Sequence, residues 1–238
     1  MRRNYKISVA MATYNGEKYI KEQILSIVNQ LKSEDELIIS DDGSTDRTLK
    51  IIKALAKKYS QIKILDGPRK GVKANFNNAI LHCSGKYIFL SDQDDIWLDK
   101  KVETVLKSFK KNDCVCVVHD AYVKDKKLKE TLIDSFYNHR KSAPGILKNI
   151  YKNRYLGCCM AFSKHLKNVI LPIPDNIEMH DQWIGIMCER YGKSIFIKDK
   201  LIYYRRHDEN VSSMDHYPLS KMLRNRWILI KEFIIRIM

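Results

Sequence analysis

Apolar and polar positions come in alternating blocks along the first ninety or so residues. Lys6 to Ala12 is a short apolar run that reads as a strand, and Thr13-Tyr14-Asn15-Gly16 breaks it. From Glu17 to about Leu31, apolar residues recur at helical spacing (Tyr19, Ile20, Ile24, Leu25, Ile27, Val28, Leu31), with Gln23 as a polar gap in the stripe. Glu36 to Ser40 is the next predicted strand and ends in Asp41-Asp42-Gly43-Ser44-Thr45-Asp46. A helix follows with Leu49, Ile52, Leu55, Ala56 and Tyr59 on one face. Ile62 to Leu65 predicts a third strand, Gly71 to Cys83 a helix and Tyr87 to Leu90 a fourth strand. Repeated strand–helix alternation predicts an α/β fold, a mostly parallel central sheet flanked by helices.

The second half is less regular. Val102 to Phe109 reads as a helix, Cys114 to His119 as a strand and Lys124 to Lys129 as a charged hairpin or loop. Asp134 to Lys152 is poorly patterned and is expected to be mobile. Leu156 to Phe162 predicts a strand of small residues, and Met179 to Tyr191 a helix opened by His180-Asp181. Ser194 to Ile197 and Leu201 to Tyr204 predict two more strands, the latter running into Arg205-Arg206-His207-Asp208. Leu219 to Met238 mixes apolar residues with Lys221, Arg224, Arg226, Lys231 and Arg236 and predicts an amphipathic helix. Such a helix either packs on the domain or lies on an anionic membrane surface. There is no internal repeat or linker, so the expected organisation is one domain over 1–218 and a terminal helix over 219–238. Within that domain, a nucleotide-binding half of about 1–110 precedes an acceptor half of about 111–218.

Charge narrows the partners. The formal net charge is +15, which favours an anionic partner: nucleic acid, an acidic membrane surface or a phosphorylated substrate. The six cysteines form no C-x-x-C pair and several lie inside apolar runs, so buried free thiols in a reducing cytosol are expected. The polar start, Met1 to Tyr5, reads as carrying no secretory leader, and no apolar run reaches membrane-spanning length.

The chemistry gathers at the predicted strand ends. The run Ile88-Phe89-Leu90-Ser91 empties onto Asp92, Asp94 and Asp95. Carboxylates this close repel one another unless protons or cations compensate. Hard oxygen ligands of this kind suit Mg2+ or Mn2+, with substrate phosphates completing the shell. The bland alternative is a polar turn capping a helix. In a parallel sheet, ligands bind beyond the carboxyl ends of the strands. There Thr13-Tyr14-Asn15, Asp41-Asp42 and Asp92-Gln93-Asp94 would share one crevice. No phosphate loop and no dinucleotide fingerprint is present. An acidic, metal-type crevice in a basic protein fits a nucleoside diphosphate group.

These motifs, in this order, resemble the family 2 glycosyltransferases with the GT-A fold over about residues 5–210. Ser91-Asp92-Gln93-Asp94-Asp95-Ile96-Trp97, His180-Asp181-Gln182-Trp183, and Tyr204-Arg205-Arg206-His207 followed by Asn210-Val211-Ser212 resemble the bacterial rhamnosyltransferase-like branch, which builds capsule, O-antigen and related glycans. The resemblance implies that Thr13, Tyr14, Asn15 and Glu17 line the nucleotide pocket, with Asp42 reaching the base and Asp92 the ribose. It implies Asp94 as metal ligand, Asp95 as a second ligand or a supporting group, and His207 on the metal or diphosphate. Asp181 matches the family's catalytic base, which takes the acceptor proton in an inverting transfer. His180 would orient it or contact the acceptor, and Arg205 or Arg206 would neutralise the leaving group.

One position departs from the pattern. Many relatives carry an arginine in the helix after the third strand, where this chain has Phe76, so that Lys73 or Asn75 would supply the polar contact. The implied reaction is metal-dependent transfer from dTDP-rhamnose or a UDP-hexose to a growing surface glycan, expected to be lipid-linked, in the cytoplasm or at the inner face of the cell membrane. One rival is a sugar-nucleotide nucleotidyltransferase, but its N-terminal glycine-rich phosphate loop is missing. The other is a nucleic-acid-binding protein, against which stand converging aspartates and the lack of a reading motif.

Overall fold

The computed structural model describes residues 5–208, 210 and 218–238. Val211 and Ser212 of the last motif, and the first four residues of the chain, lie outside the described residues. The first half runs β1 (Ile7–Thr13), α1 (Ile20–Val28), β2 (Glu36–Asp41), α2 (Thr48–Ala56), β3 (Ile62–Asp66), α3 (Val72–His82) and β4 (Tyr87–Ser91). The second half adds β5 (Ile96–Trp97), α4 (Lys101–Asn112), β6 (Cys116–Lys124), β7 (Thr131–Ile133), α5 (Phe136–Arg140), α6 (Ile146–Tyr151), β8 (Met160–Ser163), α7 (Lys167–Ile170), α8 (His180–Tyr191), β9 (Ser194–Arg205) and α9 (Leu219–Ile237).

One sheet runs through the molecule in the order β3-β2-β1-β4-β8-β6-β9-β5, with β7 on β6. The first four strands are mutually parallel, as the alternation predicts. β8 enters antiparallel between β4 and β6, which makes the second half mixed. All of β1 is buried, as befits a central strand covered by helices on both faces. The polar gap in α1 has a purpose: buried Gln23 donates to Ser91 Oγ at 2.8 Å and to the Asp92 carbonyl at 3.0 Å, tying the helix to the end of β4. Gly85 is required because a Cβ there would sit 2.4 Å from the Ile7 carbonyl carbon.

Several expectations change. Leu156 to Phe162 is not one strand: Gly157–Cys159 forms a 3-10 turn, and only Met160–Ser163 pairs. The two strands expected around Ser194 and Leu201 are one, β9. The polar stretch Lys198-Asp199-Lys200 that interrupts the apolar pattern lies where the register to β6 jumps from His119↔Ile197 to Asp120↔Lys200. Ile96–Trp97 is a strand too short to show a period. Asp134 to Lys152 carries two short helices. Asp120 anchors the first, accepting from Ser135 Oγ at 2.6 Å and Tyr137 N at 2.8 Å. All six cysteines are buried free thiols.

The terminal helix packs Leu229, Ile228 and Phe233 on the core, but two of its basic residues also reach the domain. Arg236 turns inward and donates to the carbonyls of Val169, Leu171 and Pro172, its guanidinium 5.2 Å from the Trp183 ring. Arg226 likewise donates to the Tyr151 carbonyl. Outward stand Leu219, Leu223, Trp227, Ile234 and Ile235. No helix among the described residues is long and apolar enough to cross a membrane.

Candidate functional site

The carboxyl ends of β1, β2 and β4 open into a crevice of about 1630 Å³. Thr13, Tyr14, Asp42, Asn75, Asp92, Asp94, His180, Asp181 and Arg206 line it together. The geometry gathers these nine expected residues and separates out others.

The loop after β1 is held by a residue that the sequence reading passed over. Gln93 Oε1 accepts from Thr13 Oγ1 at 2.6 Å and Tyr14 N at 2.9 Å, while its Nε2 donates to the Tyr14 carbonyl at 3.0 Å. Asn15 and Glu17 are not among the crevice-lining residues. Asn15 Oδ1 accepts from Thr45 N at 2.8 Å, and Glu17 accepts from Arg47 N and Nε at 2.9 and 3.1 Å. They clip the β1 loop to the β2 loop, because their short acceptors meet the unpaired amides that open α2. Asp42 lines the crevice and also accepts from Arg69 N at 2.7 Å and Gly71 N at 2.8 Å, shaping the loop that brings Arg69 and Lys70 to the rim.

Asn75 Nδ2 binds the carbonyls of Thr13 at 3.2 Å and Ser40 at 2.9 Å, and its buried Oδ1 has no protein partner. That oxygen is turned toward Gly67, where an added Cβ would lie 2.7 Å from it. Lys73, the other candidate for the missing arginine's contact, is spent on the carbonyls of Asp175 and Ile177. Phe76 instead stacks on His180, ring centroids 4.1 Å apart. Both nitrogens of His180 are buried without a protein partner, and burial, then Lys73, lowers its pKa to about 3, so the ring is neutral.

The acidic turn after β4 splits into two layers. Asp94 Oδ2 lies 2.8 Å from His207 Nε2 and 3.4 Å from Asn210 Nδ2. His207 is itself stacked on Tyr19. A carboxylate and an imidazole nitrogen converging at this spacing suit a hard or borderline divalent ion, so the donors present fit Mn2+ or Mg2+. Asp92 is half-buried; burial of its carboxyl, then Asp94 and Asp181, pushes its pKa up to about 7.

The lower layer is closed to solvent. Asp95 is fully buried, one oxygen accepting from Arg205 N at 3.0 Å and the other unpartnered, and burial with Asp94 and Asp92 raises its pKa well above the usual range. Lys101 is also fully buried, its Nζ 2.8 Å from the Cys158 carbonyl and 4.0 Å from the Trp97 ring centroid. Burial lowers its pKa to about 8, against the raising effect of Asp95 and Asp92. Asp92, Asp95 and the Cys158 thiol converge within 4.8 Å, but Lys101 already supplies their positive charge and burial holds the thiol protonated.

Arg205 and Arg206 part company. Arg205 is buried and fully engaged: Nε to the Asp94 carbonyl, NH1 to the Lys126 carbonyl, NH2 to Glu22, all over the Tyr19 ring. It braces the acidic turn and does not line the crevice, whereas Arg206, the other arginine of the expected pair, does line it.

Asp181, the second residue of α8, is buried, and Asn153 Nδ2 donates to its Oδ1 at 3.0 Å. Burial raises its pKa to about 6, against the amides of Gln182, Asn153 and Gly157. A carboxyl so tuned is ionised at neutral pH yet basic enough to accept a proton. Beyond it the crevice is walled by Phe136, Arg140, Tyr151, Lys152, Met222, Arg226 and Leu229, none of which carries a sequence motif.

Residues 8–169 match the family model described as glycosyl transferase family 2. The chain is 32% identical to the dTDP-rhamnosyl transferase RfbG of Shigella flexneri, covering 91% of this chain and 80% of that protein. It is 26% identical to the UDP-Glc:alpha-D-GlcNAc-diphosphoundecaprenol beta-1,3-glucosyltransferase WfgD of Escherichia coli, over 97% of this chain and 87% of that one. Among solved structures, S. aureus TarS 1-349 in complex with UDP-GlcNAc superposes with a TM-score of 0.73 at 20% identity, covering 94% of this chain and 66% of that chain.

Proposed function

Because the chain belongs to glycosyltransferase family 2, in its rhamnosyltransferase-like part, and has a GT-A-like fold, we propose that it is a metal-dependent, inverting enzyme that moves a sugar from a nucleoside diphosphate to a growing surface polysaccharide. The observation that carries this reading is that one crevice is lined both by Asp94, which the buried His207 ring backs from behind that lining, and by the buried Asp181. The likeness to RfbG favours dTDP-rhamnose as donor, and that to WfgD makes a UDP-hexose the second reading. Family membership sets aside the nucleotidyltransferase and nucleic-acid readings.

The chain's residues divide the work. Thr13, Tyr14 and Asp42 face the nucleotide, with Asn75 tying the ends of β1 and β2 beneath it, and Asp92 faces the ribose. Asp94 and His207 would hold Mn2+ or Mg2+, whose charge offsets that of the diphosphate. Asp181 takes the acceptor hydroxyl's proton as that oxygen bonds to the anomeric carbon. The bond from that carbon to the diphosphate breaks on the opposite side, and the anion leaves past Arg206.

A lipid-linked acceptor fits the α9 surface. Its outward apolar residues, flanked by exposed Arg224 and Lys231, suit an anionic bilayer at the cytoplasmic face. Trp227, 68% exposed, is the test: Trp227→Glu should weaken sedimentation with anionic phospholipid vesicles about tenfold without affecting nucleotide binding. Equal sedimentation of both proteins would remove this contact.

The reading as a whole is tested by calorimetric titration of UDP and dTDP, with and without Mn2+, on wild type and Asp94→Ala. Binding should weaken at least tenfold on omitting the ion or on Asp94→Ala, and the tighter nucleotide identifies the donor. No binding of either nucleotide in any condition would overturn it.

A further inference from the structure

We propose that Asn153 is a positioning residue for the transfer, its side-chain amide fixing the rotation of the Asp181 carboxylate and so the oxygen that receives the acceptor proton. The inference rests on Asp181 being the base.

The amide's own orientation is settled by the backbone. Asn153 Oδ1 accepts from Tyr155 N at 3.0 Å, so the NH2 end must point the other way, where Asp181 Oδ1 stands at 3.0 Å. Tyr155 is in turn fixed: it is buried, its hydroxyl bonds Glu189, and its ring packs on Phe196 with centroids 5.7 Å apart. The amide therefore belongs to a rigid support.

Asn153 and the Gln182 amide, at 2.6 Å, both bind Oδ1 of Asp181. With that oxygen occupied twice, Oδ2 is the less occupied of the two and the one assigned as proton acceptor, the Gly157 amide adding a third donor to the carboxyl. On the other flank Gly157 leaves no slack, since a Cβ there would lie 3.0 Å from His180 Nε2 and 3.5 Å from Asp181 Cβ. The charged groups acting on Asp181 are Glu178, ahead of α8, and Asp92, across the crevice. Both are acidic and oppose ionisation, while His180 beside it is neutral. The amides are what keep the carboxylate ionised at neutral pH. A hydrogen bond to the charged form lowers a carboxyl pKa, so losing Asn153 must raise it.

The experiment is a 13C NMR titration of the full chain labelled at aspartate Cγ, in which the signal missing from Asp181→Asn identifies Asp181. Its midpoint in the wild type is expected near 6. Asn153→Ala should raise it by about half a unit to one unit. Asn153→Asp, which keeps an acceptor for Tyr155 N and therefore the local fold, should raise it further through like-charge repulsion. Calorimetric Kd values for UDP or dTDP should stay within about twofold in both variants. A midpoint unchanged in both would overturn the inference, whatever happens to activity. Because the readout needs no substrate, it is separate from the base reading, which falls only if Asp181→Asn still transfers sugar.

Discussion

Asp181→Asn should lose transfer by a factor of about 10²–10⁴ while binding the donor nucleotide as tightly as the wild type. The substitution is nearly isosteric, and an amide Oδ1 can still accept from Asn153 and Gln182. What disappears is a buried negative oxygen on the crevice wall that could receive a proton. His180 cannot substitute. Its ring is stacked on Phe76, and a pKa held near 3 makes it too weak a base. The proposed nucleotide contacts come from the ends of β1, β2 and β4 and from α3, whereas the carboxylate's hydrogen-bond donors come from Asn153 and Gln182. The check is release of nucleoside diphosphate in the presence of a lipid-diphosphate-linked sugar, beside calorimetric binding of the nucleotide alone. Transfer within threefold of wild type would end the assignment of Asp181 as base.

Lys101→Met should destabilise the fold by roughly 3–5 kcal/mol, and adding Asp95→Asn should restore most of the loss. Methionine keeps the volume and the contact with Trp97 but removes the ammonium. Asp95, fully buried with one oxygen unpartnered, and Asp92 would then face each other without a cation. The Cys158 carbonyl would lose its donor as well. Neutralising Asp95 removes the stranded charge and keeps an oxygen for Arg205 N. The cost therefore follows from removing the buried cation whose charge acts on both carboxyls, and a pair of neutral replacements escapes it. Urea denaturation of wild type, both single variants and the double variant measures the coupling. If the double variant is the sum of its parts, Lys101 is not the counter-ion of Asp95.

The parallel half was legible because its strands are buried apolar runs that stop at clustered polar residues. Gln23 showed as a gap in a helical stripe, although its partners at Ser91 and Asp92 could not be read from spacing. Lys101 gave no signal, since a lysine in the first turn of a helix looks solvated, and only tertiary packing covers it. β9 was hidden by Lys198-Asp199-Lys200, which face a register shift rather than a turn. Arg205 and Arg206 are adjacent, so they project to different sides of the strand end, and sequence alone had no means to choose between them. Asp181 was found through motif resemblance, whereas Asn153 and Gln93 were missed because a neutral amide leaves no mark in charge or hydropathy patterns. The tail was recognised as amphipathic, but Arg226 and Arg236 reach inward because carbonyls at Tyr151 and around Leu171 await donors.

The far wall of the crevice draws on two parts of the chain: Phe136, Arg140, Tyr151 and Lys152 fall inside the stretch that matches the family model, and three further residues lie beyond it. Thr13, Asp42, Asn75, Asp92 and Asp94 all fall within the stretch 8–169 that matches the family model, whereas Met222, Arg226 and Leu229 of the acceptor wall lie on α9, well past it. Mutations in that single terminal helix can reshape the surface met by the incoming glycan without disturbing the nucleotide contacts. Such a layout lets the far wall of the crevice diversify in a lineage while the pocket at the strand ends stays fixed.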